Sequence, residues 1–495
     1  MNRRTTALAV ALTLSGALSG CSVAADASTP PVSATTRPPL TACADLPSLP
    51  TAQCGAITVP LDRGDRSAGT TSVAFALVPR TDRSRPSLGT IVPNPGGPGT
   101  SAIDQSGELF AAALAPILDR RDLLLIDPRG VGRSDPLSCP ALATSDIVFE
   151  GIDKQRQAIG ACGRQLGAKS RFYGTAAVAD DFDAVREALG FDRLDLLGIS
   201  YGTYLMPVYA QRHPRHVRSV VLSGAYAVNE DPSEEVAAKA LRRAVTLVCR
   251  RSQACAGPTV LKDLGALATR LRHSPTTVTV DYQGHTRQVA LDEWALAGAV
   301  SKIYSVTADR DAQLGLADAA AAASRGNLAP IRDIVRAHLI EQAQAADAGP
   351  QAVSIPQSWA TTCHDYLRSF DFADDFAARR RDYDKHVARL DPADFAPFSP
   401  AAWVTRDSFD TGACLEWPDD PTARPPFGPR AHLPNVPVLV LSGDLDANTP
   451  TPAGRAAAAQ FPHAKVIEVP DAGHTPAQTP AGAELTRDFI VKAGR

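Results

Sequence analysis

The chain has 495 residues, nine cysteines and a formal net charge of −3. This length is enough to bury a sizeable core, and it predicts more than one lobe. A net charge so close to zero gives no reason to expect nucleic acid or an acidic membrane surface as a partner.

Residues 1–20 are predicted to be an export signal. Arg3 and Arg4 give a basic start, an apolar stretch too short for a stable membrane anchor follows, and small residues come next. The segment ends in Leu-Ser-Gly-Cys21, which resembles the lipobox of bacterial lipoproteins, where the cysteine is lipidated and becomes the new N-terminus. We expect a lipid on Cys21 to hold the protein at the outer face of the cell membrane, with partial release. An ordinary secretory signal with a chance cysteine is the alternative.

Residues 21–42 consist largely of proline, serine, threonine and alanine, and we expect them to form a tether after the lipidated cysteine. Eight cysteines remain beyond this point, and an even number in an exported chain predicts disulfides, most simply between neighbours along the chain. No C-x-x-C motif or histidine cluster indicates a metal, and we expect no cofactor. The candidate disulfide cysteines are Cys43, Cys54, Cys139, Cys162, Cys249, Cys255, Cys363 and Cys414.

From about residue 55, short apolar strands alternate with amphipathic helices, which is typical of an α/β sheet. The predicted strands are residues 71–78, 90–92, 122–126, 193–197, 218–222, 436–441 and 465–469. The predicted helices beside them are residues 178–189, 203–211, 449–460 and 484–492. The pattern between about residues 227 and 425 is different, because it is mainly helical. Its predicted helices are residues 234–250, 260–272, 292–304, 308–324 and 327–343, with one hairpin formed by 277–282 and 286–291.

A Gly-x-Ser-x-Gly motif, Gly198-Ile-Ser-Tyr-Gly202, lies between a predicted strand and a predicted helix. This context is that of a nucleophile elbow, in which a tight turn holds the serine hydroxyl at the edge of a sheet. Ser200 is therefore the candidate nucleophile. It needs a base, and His474 in the loop after the strand 465–469 is the best candidate. His364, beside Cys363, is the only other histidine that we single out.

The acid that orients His474 is Asp444 or Asp446, since both follow the strand 436–441. Thr449 and Pro450 form a favoured helix start, which leaves Asp446 for chemistry. The chain order serine, aspartate, histidine is that of α/β-hydrolases. We therefore predict an α/β fold whose α/β-hydrolase core is built from two parts, with a large, mainly helical cap domain inserted. The core comprises residues 43–226 and 426–495, and the cap comprises residues 227–425.

An acyl-transfer reaction also needs N–H donors for the oxyanion. In the elbow geometry, one donor comes from the residue after the nucleophile, here Tyr201, and one from an early glycine loop. Gly96 and Gly97, in Asn94-Pro-Gly-Gly-Pro-Gly, fit that loop, because glycine lets the backbone approach closely.

Five motifs together resemble the secreted bacterial tripeptidyl aminopeptidases, relatives of prolyl iminopeptidase. The likeness runs from about Cys54 to the C-terminus and includes Cys414-Leu-Glu-Trp-Pro. It implies Asp446 as the acid, and Pro95 stands where the iminopeptidase loop has histidine. The five motifs are Asn94-Pro-Gly-Gly-Pro-Gly, Asp127-Pro-Arg-Gly-Val-Gly-Arg-Ser, Gly198-Ile-Ser-Tyr-Gly, Gly443-Asp-Leu-Asp-Ala-Asn-Thr-Pro and Ala472-Gly-His-Thr.

The resemblance implies a serine exopeptidase that removes short peptides, tripeptides in the family, from free N-termini through an acyl-enzyme. Its partners would be peptides with a free amine, and the membrane only through the lipid. Such an enzyme needs a cap carboxylate for the substrate ammonium, and Glu234, Glu235 and Asp365 are candidates by position. A carboxylesterase or lipase with the same triad is the alternative. A catalytically inactive binding protein is a third hypothesis, and the intact motifs argue against it.

Overall fold

A nine-stranded sheet forms the centre of the described part of the chain, with the order β1-β2-β3-β5-β4-β6-β7-β10-β11. The computed structural model describes residues 37–230, 235–305, 308–406 and 411–494. The strands of this sheet are β1 (Thr41–Ala42), β2 (Gln53–Pro60), β3 (Thr70–Val78), β4 (Gly89–Asn94), β5 (Arg121–Ile126), β6 (Leu194–Ile199), β7 (Val217–Ser223), β10 (Val438–Gly443) and β11 (Lys465–Val469). The remaining strands, β8 (Thr276–Tyr282) and β9 (His285–Leu291), pair as an antiparallel hairpin.

The sheet is antiparallel at one side and parallel elsewhere. Strands β1, β2, β3 and β5 pair antiparallel, whereas every pairing from β5 through β4, β6, β7 and β10 to β11 is parallel. All residues of β5, β6 and β10 are buried, as expected for parallel strands covered on both faces. Parallel pairing aligns the carboxyl ends of β6, β10 and β11, so the loops after these strands meet at one edge.

Helices cover both faces of the sheet because successive side chains of each strand point to opposite sides. On β5, Leu124 and Ile126 pack with helices α3, α4 and α14, while Leu123 and Leu125 pack with α1 and α15. These helices are α1 (Gly107–Leu114), α3 (Thr175–Leu189), α4 (Gly202–Arg212), α14 (Thr451–Ala459) and α15 (Pro480–Ala493). One further helix, α2 (Ile152–Leu166), precedes α3.

The chain leaves the sheet after β7 and returns at β10, which pairs with β7. Between them lie the hairpin and a set of helices. Buried side chains of the hairpin and of α5 to α9 form one hydrophobic cluster, which Phe149, Leu445 and Ala447 join from outside the segment, whereas α10 and α11 pack in a second cluster with α2. This segment lies where the cap was predicted, and its limits as a domain, 227–425, remain a prediction. The helices are α5 (Glu235–Ser252), α6 (Gly257–His273), α7 (Glu293–Ser305), α8 (Arg310–Ser324), α9 (Ala329–Asp347), α10 (Ile355–Asp365), α11 (Phe376–Val387), α12 (Pro392–Phe395) and α13 (Pro400–Val404).

All eight cysteines from Cys43 onward lie in disulfides between neighbours along the chain. The pairs are Cys43–Cys54, Cys139–Cys162, Cys249–Cys255 and Cys363–Cys414. Thr41 and Ala42, the last residues of the predicted tether, pair with β2 beside the first of these disulfides. The predicted signal, Cys21 and most of the tether lie outside the described residues.

Within the described ranges, no helix combines the length and the apolarity that crossing a membrane would require. In the same part of the chain, no histidine, cysteine, aspartate and glutamate side chains group as a metal site would need.

Candidate active site

Ser200 lies at the tight turn between β6 and α4. Its backbone has φ +54°, and its N–H donates to Ser223 O at 3.0 Å, which ties the turn to the end of β7. The glycines on either side are required by close packing. A Cβ on Gly198 would stand 2.3 Å from Gly202 O, and one on Gly202 would stand 2.5 Å from Asn94 O. The turn therefore has the form of the predicted elbow, and it leaves Ser200 only half-buried.

His474 is the histidine that the structure brings to Ser200. Its Nε2 lies 2.8 Å from Ser200 Oγ, and its Nδ1 lies 3.2 Å from Asp446 Oδ2. Both the imidazole and the carboxylate are buried, at 6% and 2% exposure. With the proton on Nδ1 facing the carboxylate, Nε2 is free to accept the hydroxyl proton of Ser200.

Thr449 is a residue of this site that the sequence analysis assigned wrongly. Helix α14 begins only at Thr451, so Thr449 does not cap it. Instead its hydroxyl donates to Asp446 Oδ2 at 2.9 Å and lies 2.9 Å from His474 Nδ1. Thr449 thereby bridges the acid and the base, a role that only the folding of the loop reveals.

The other aspartate of this loop, Asp444, faces away from His474. Its Oδ2 accepts a hydrogen bond from Arg251 of α5. The remaining carboxylate oxygen of Asp446, Oδ1, accepts from the backbone N–H groups of Asn448 and Thr449 at 2.7 and 3.0 Å. These bonds hold the Asp446 side chain in the orientation that its contact with His474 needs.

The glycine loop after β4 lies beside the elbow. A Cβ on Gly96 would stand 2.8 Å from Ser200 Cβ and 3.1 Å from Tyr201 N, so only glycine fits there. The Gly96 N–H already donates to Asn94 Oδ1 at 3.1 Å. Among the described residues, the N–H groups of Gly97 and Tyr201 have no acceptor. The N–H groups of Gly97 and Tyr201 are therefore available to an oxyanion, whereas the Gly96 N–H is already engaged.

Two buried side chains anchor the turn at Tyr201 and the residues that follow the glycine loop. The Tyr201 ring is 1% exposed, and its hydroxyl lies 2.9 Å from Thr175 Oγ1. Asp127, at the end of β5, accepts from Ser101 Oγ and from the backbone N–H groups of Ala102 and Ile103 at 2.8 to 3.1 Å. Burial raises the pKa of Asp127 to about 6, although these hydrogen bonds stabilise the charged carboxylate and act to lower the pKa.

The cap carboxylates proposed for the substrate amine are engaged elsewhere or lie outside the described residues, as Glu234 does. Glu235 forms an exposed ion pair with Lys239. Asp365 is 1% exposed, and its Oδ2 accepts a hydrogen bond from Thr175 N at 2.5 Å. Its Oδ1 lies 2.6 Å from His364 Nδ1. Burial alone would lower the pKa of His364, but Asp365 raises it above its usual value. Asp365 is thus engaged by buried protein groups, whereas Glu235 is exposed, and a role for either in binding a substrate amine stays a prediction.

Two family models match separate parts of the chain. Residues 89–248 match the model described as alpha/beta hydrolase fold, and residues 400–495 match the model described as TAP-like protein. The first match contains the elbow and the glycine loop, and the second contains the loops of Asp446 and His474.

The chain is also similar to curated relatives over part of its length. It is 37% identical over 198 residues to serine protease Hip1 of Mycobacterium tuberculosis, covering 37% of this chain and 38% of that protein. It is 32% identical over 194 residues to tripeptidyl aminopeptidase of Streptomyces lividans, covering 36% of each. Carboxylesterase B of M. tuberculosis is 32% identical over 213 residues, covering 39% of each. The chain thus spans less than two thirds of these relatives.

Among solved structures, proline iminopeptidase of Mycobacterium smegmatis aligns with a TM-score of 0.43 and 16% identity, covering 89% of this chain and 99% of that one. The sheet order described above and the two family matches agree with the fold predicted from the motifs. The described part of the chain therefore has an α/β-hydrolase fold, and residues 400–495 are similar to TAP-like proteins.

Proposed function

We propose that the protein is an exported serine exopeptidase that releases short peptides, tripeptides first among them, from free N-termini. The observation that carries this proposal is the line of contacts from Ser200 Oγ through His474 to Asp446, at 2.8 and 3.2 Å. The relatives named as a serine protease and a tripeptidyl aminopeptidase support a peptide as the substrate.

In the proposed reaction, Ser200 Oγ attacks the scissile carbonyl carbon while His474 Nε2 takes the hydroxyl proton. The carbonyl oxygen becomes an oxyanion and accepts from the N–H groups of Gly97 and Tyr201. His474 then gives its proton to the leaving amine, and the acyl group remains on Ser200. Water, deprotonated by His474, attacks this ester and releases the short peptide. Throughout, Asp446 stabilises the imidazolium.

A paired assay tests the substrate class. A tripeptide anilide with a free amine and its N-acetylated form differ only in the charge and bulk at the terminus. Loss of an ammonium contact should lower kcat/KM by about thirtyfold or more, which corresponds to roughly 2 kcal/mol of transition-state stabilisation. The rate on the free peptide should also fall as the amine deprotonates near a pKa of about 8. Equal rates on both peptides would contradict the requirement for a free amine.

A carboxylesterase is the second candidate function, and one observation favours it. Of the cap carboxylates named as candidates, Asp365 is buried and accepts from Thr175 N, and Glu235 is paired with Lys239. The relative named carboxylesterase B adds support. Turnover of simple esters well above that of the free-amine peptide, together with equal rates on the two anilides, would favour this function.

We further propose export and anchoring through a lipid on Cys21, on the basis of the sequence motif at residues 18–21. The disulfides support an oxidising compartment. Intact-mass analysis of the protein from membranes should show an acylated N-terminal cysteine. A Cys21→Ala variant should appear in the soluble fraction, and its retention on membranes would contradict the anchor.

A further inference from the structure

Three arginines from the inserted helical segment contact the loops that carry Asp446 and His474 or the strand β11 between them. Arg251, near the end of α5, donates to Asp444 Oδ2, and its Nη1 lies 2.9 Å from Asp471 Oδ1. Three further contacts come from Arg243 and Arg310. Arg243 Nη1 donates to Asp444 O at 2.5 Å and Arg243 Nη2 to Glu468 at 3.0 Å, while Arg310 Nη2 lies 3.0 Å from Asp471 Oδ1.

Asp444 and Asp471 are close in sequence to the two catalytic residues on these loops. Asp444 precedes Asp446 by two residues, and Asp471 precedes His474 by three. The two loops also bond to one another, since Asp444 N donates to Val469 O at 3.2 Å and Leu445 N donates to Ala472 O at 3.0 Å. A displacement of either loop would therefore change the distance between His474 and Asp446.

Asp444 depends on Arg251 for its charge balance. Its side chain is 3% exposed, and among the described residues its Oδ1 has no hydrogen-bond partner. A buried carboxylate that loses its cation is strongly destabilised, because neither water nor another donor replaces the lost partner. Removing Arg251 should therefore disturb the Asp444 loop rather than leave it unchanged.

The end of α5 is itself fixed. The Cys249–Cys255 disulfide, with a sequence separation of 6, encloses Arg251 in its loop, and Gln253 within that loop has φ +58°. The guanidinium of Arg251 is thus presented from a covalently closed turn and not from a frayed helix end.

We propose that Arg251 is a positioning residue: by holding Asp444 and Asp471, it keeps the loops of Asp446 and His474 in register, so that docking of the helical segment sets the alignment of the triad. This inference rests on the proposed role of Ser200, His474 and Asp446. It predicts that loss of Arg251 lowers the reactivity of Ser200 even toward a reagent too small to contact the helical segment.

The test compares Arg251→Met with Arg250→Met in the full chain. Arg250 is exposed on the same turn of α5, which makes it the matched control. The second-order rate of Ser200 labelling by a small fluorophosphonate and the kcat for an anilide should both fall about tenfold in Arg251→Met, with KM nearly unchanged. Arg250→Met should behave as wild type, and Arg251→Lys should recover part of the loss.

Asp471→Asn provides a second variant whose folding is not at risk. Asp471 is 56% exposed and has φ +54°, a conformation that asparagine tolerates well. We expect labelling to fall about threefold, and high salt to reduce the labelling rate of wild type more than that of Arg251→Met.

Unchanged labelling in Arg251→Met, or an equal loss in Arg250→Met, would overturn the inference. Failure of wild-type Ser200 to label would instead overturn the proposed function.

Discussion

At the scale of single residues, the arrangement around His474 depends on which aspartate faces it. Asp446 Oδ2 lies 3.2 Å from His474 Nδ1, whereas Asp444 meets Arg251. The sequence placed both aspartates after one strand, and the helix start at Thr449 and the family resemblance favoured Asp446. The structure gives the two side chains different partners, and it replaces the helix-start argument because Thr449 contacts Asp446 and does not cap the helix.

Replacing each aspartate by asparagine should therefore give unequal losses. Asp446→Asn lets the amide stabilise the wrong imidazole tautomer, so kcat should fall by about a thousandfold or more. Asp444→Asn disturbs only the support of the loop and should cost about tenfold. Steady-state kinetics on one anilide compares the two variants. A larger loss in Asp444→Asn would show that the wrong acid is assigned.

Thr449 gives a second prediction at this scale. Thr449→Val keeps the shape of the side chain but removes the hydroxyl that joins Asp446 and His474. We expect kcat to fall about tenfold with little change in KM, because one hydrogen bond to charged groups is worth roughly 1.5 kcal/mol. Thr449→Ser, which keeps the hydroxyl, is the control. Full activity in the valine variant would exclude this bridge from the mechanism.

At the scale of elements, the strongly patterned segments were the predictable ones. The predicted strands and helices all appear, with ends that shift by up to about four residues. Strand β2 was missed because its side chains are mostly partly exposed and its apolar alternation is short, limited to Ile57 and Val59. Helix α2 was missed because its apolar residues are sparse, and its burial comes from distant parts of the chain.

The glycine loop after β4 is an element whose shape is held from outside. Asp127 accepts hydrogen bonds from three groups in residues 101–103, which follow the glycine loop. Asp127 is part of a family motif in the sequence, but that motif indicated no role for it. Contacts of this kind join residues far apart in sequence, so no local pattern reveals them. The same holds for Arg251, which lies 193 residues from Asp444.

Asp127→Asn tests this support through its pH dependence. The folded-state pKa of about 6 lies above the ordinary value of 3.8, so the folded protein binds more protons between these values. The free energy of unfolding of wild type should therefore fall as the pH rises through this range, and the variant should lack that fall. Urea unfolding at about pH 4 and about pH 7 measures this effect. The difference in the free energy of unfolding between wild type and Asp127→Asn should be smaller at about pH 7 than at about pH 4. A difference independent of pH would contradict the assignment.

At the scale of the whole molecule, the inserted segment touches both sides of the site. Backbone groups of Ala352 and Ser354 pair with Ser101 and Gly99 of the glycine loop at 2.9 and 2.8 Å, while arginines hold the loops of the acid and the base. The site is thus assembled from core and insertion together. The sequence indicated that an insertion exists but not where it would make contact.

In the chain-entropy model, a disulfide stabilises the fold more when it closes a longer loop, and the gain grows with the logarithm of the loop length. Cys363–Cys414 has a sequence separation of 51, and Cys249–Cys255 has one of 6. In the chain-entropy model, these are worth roughly 4 and roughly 2 kcal/mol. Replacing each pair by serine should lower the free energy of unfolding more for the long loop, as urea unfolding would measure. A larger loss from the short loop would argue against the entropic explanation.

The central claim is that Ser200 is the nucleophile of the site, and covalent labelling tests it most directly. Wild type treated with a fluorophosphonate should carry one adduct, and peptide mass spectrometry should locate it on Ser200. Ser200→Ala should fold, as circular dichroism would show, and carry no adduct, while His474→Ala should label far more slowly because the base is lost. An adduct on another residue, or continued labelling of Ser200→Ala, would contradict the account.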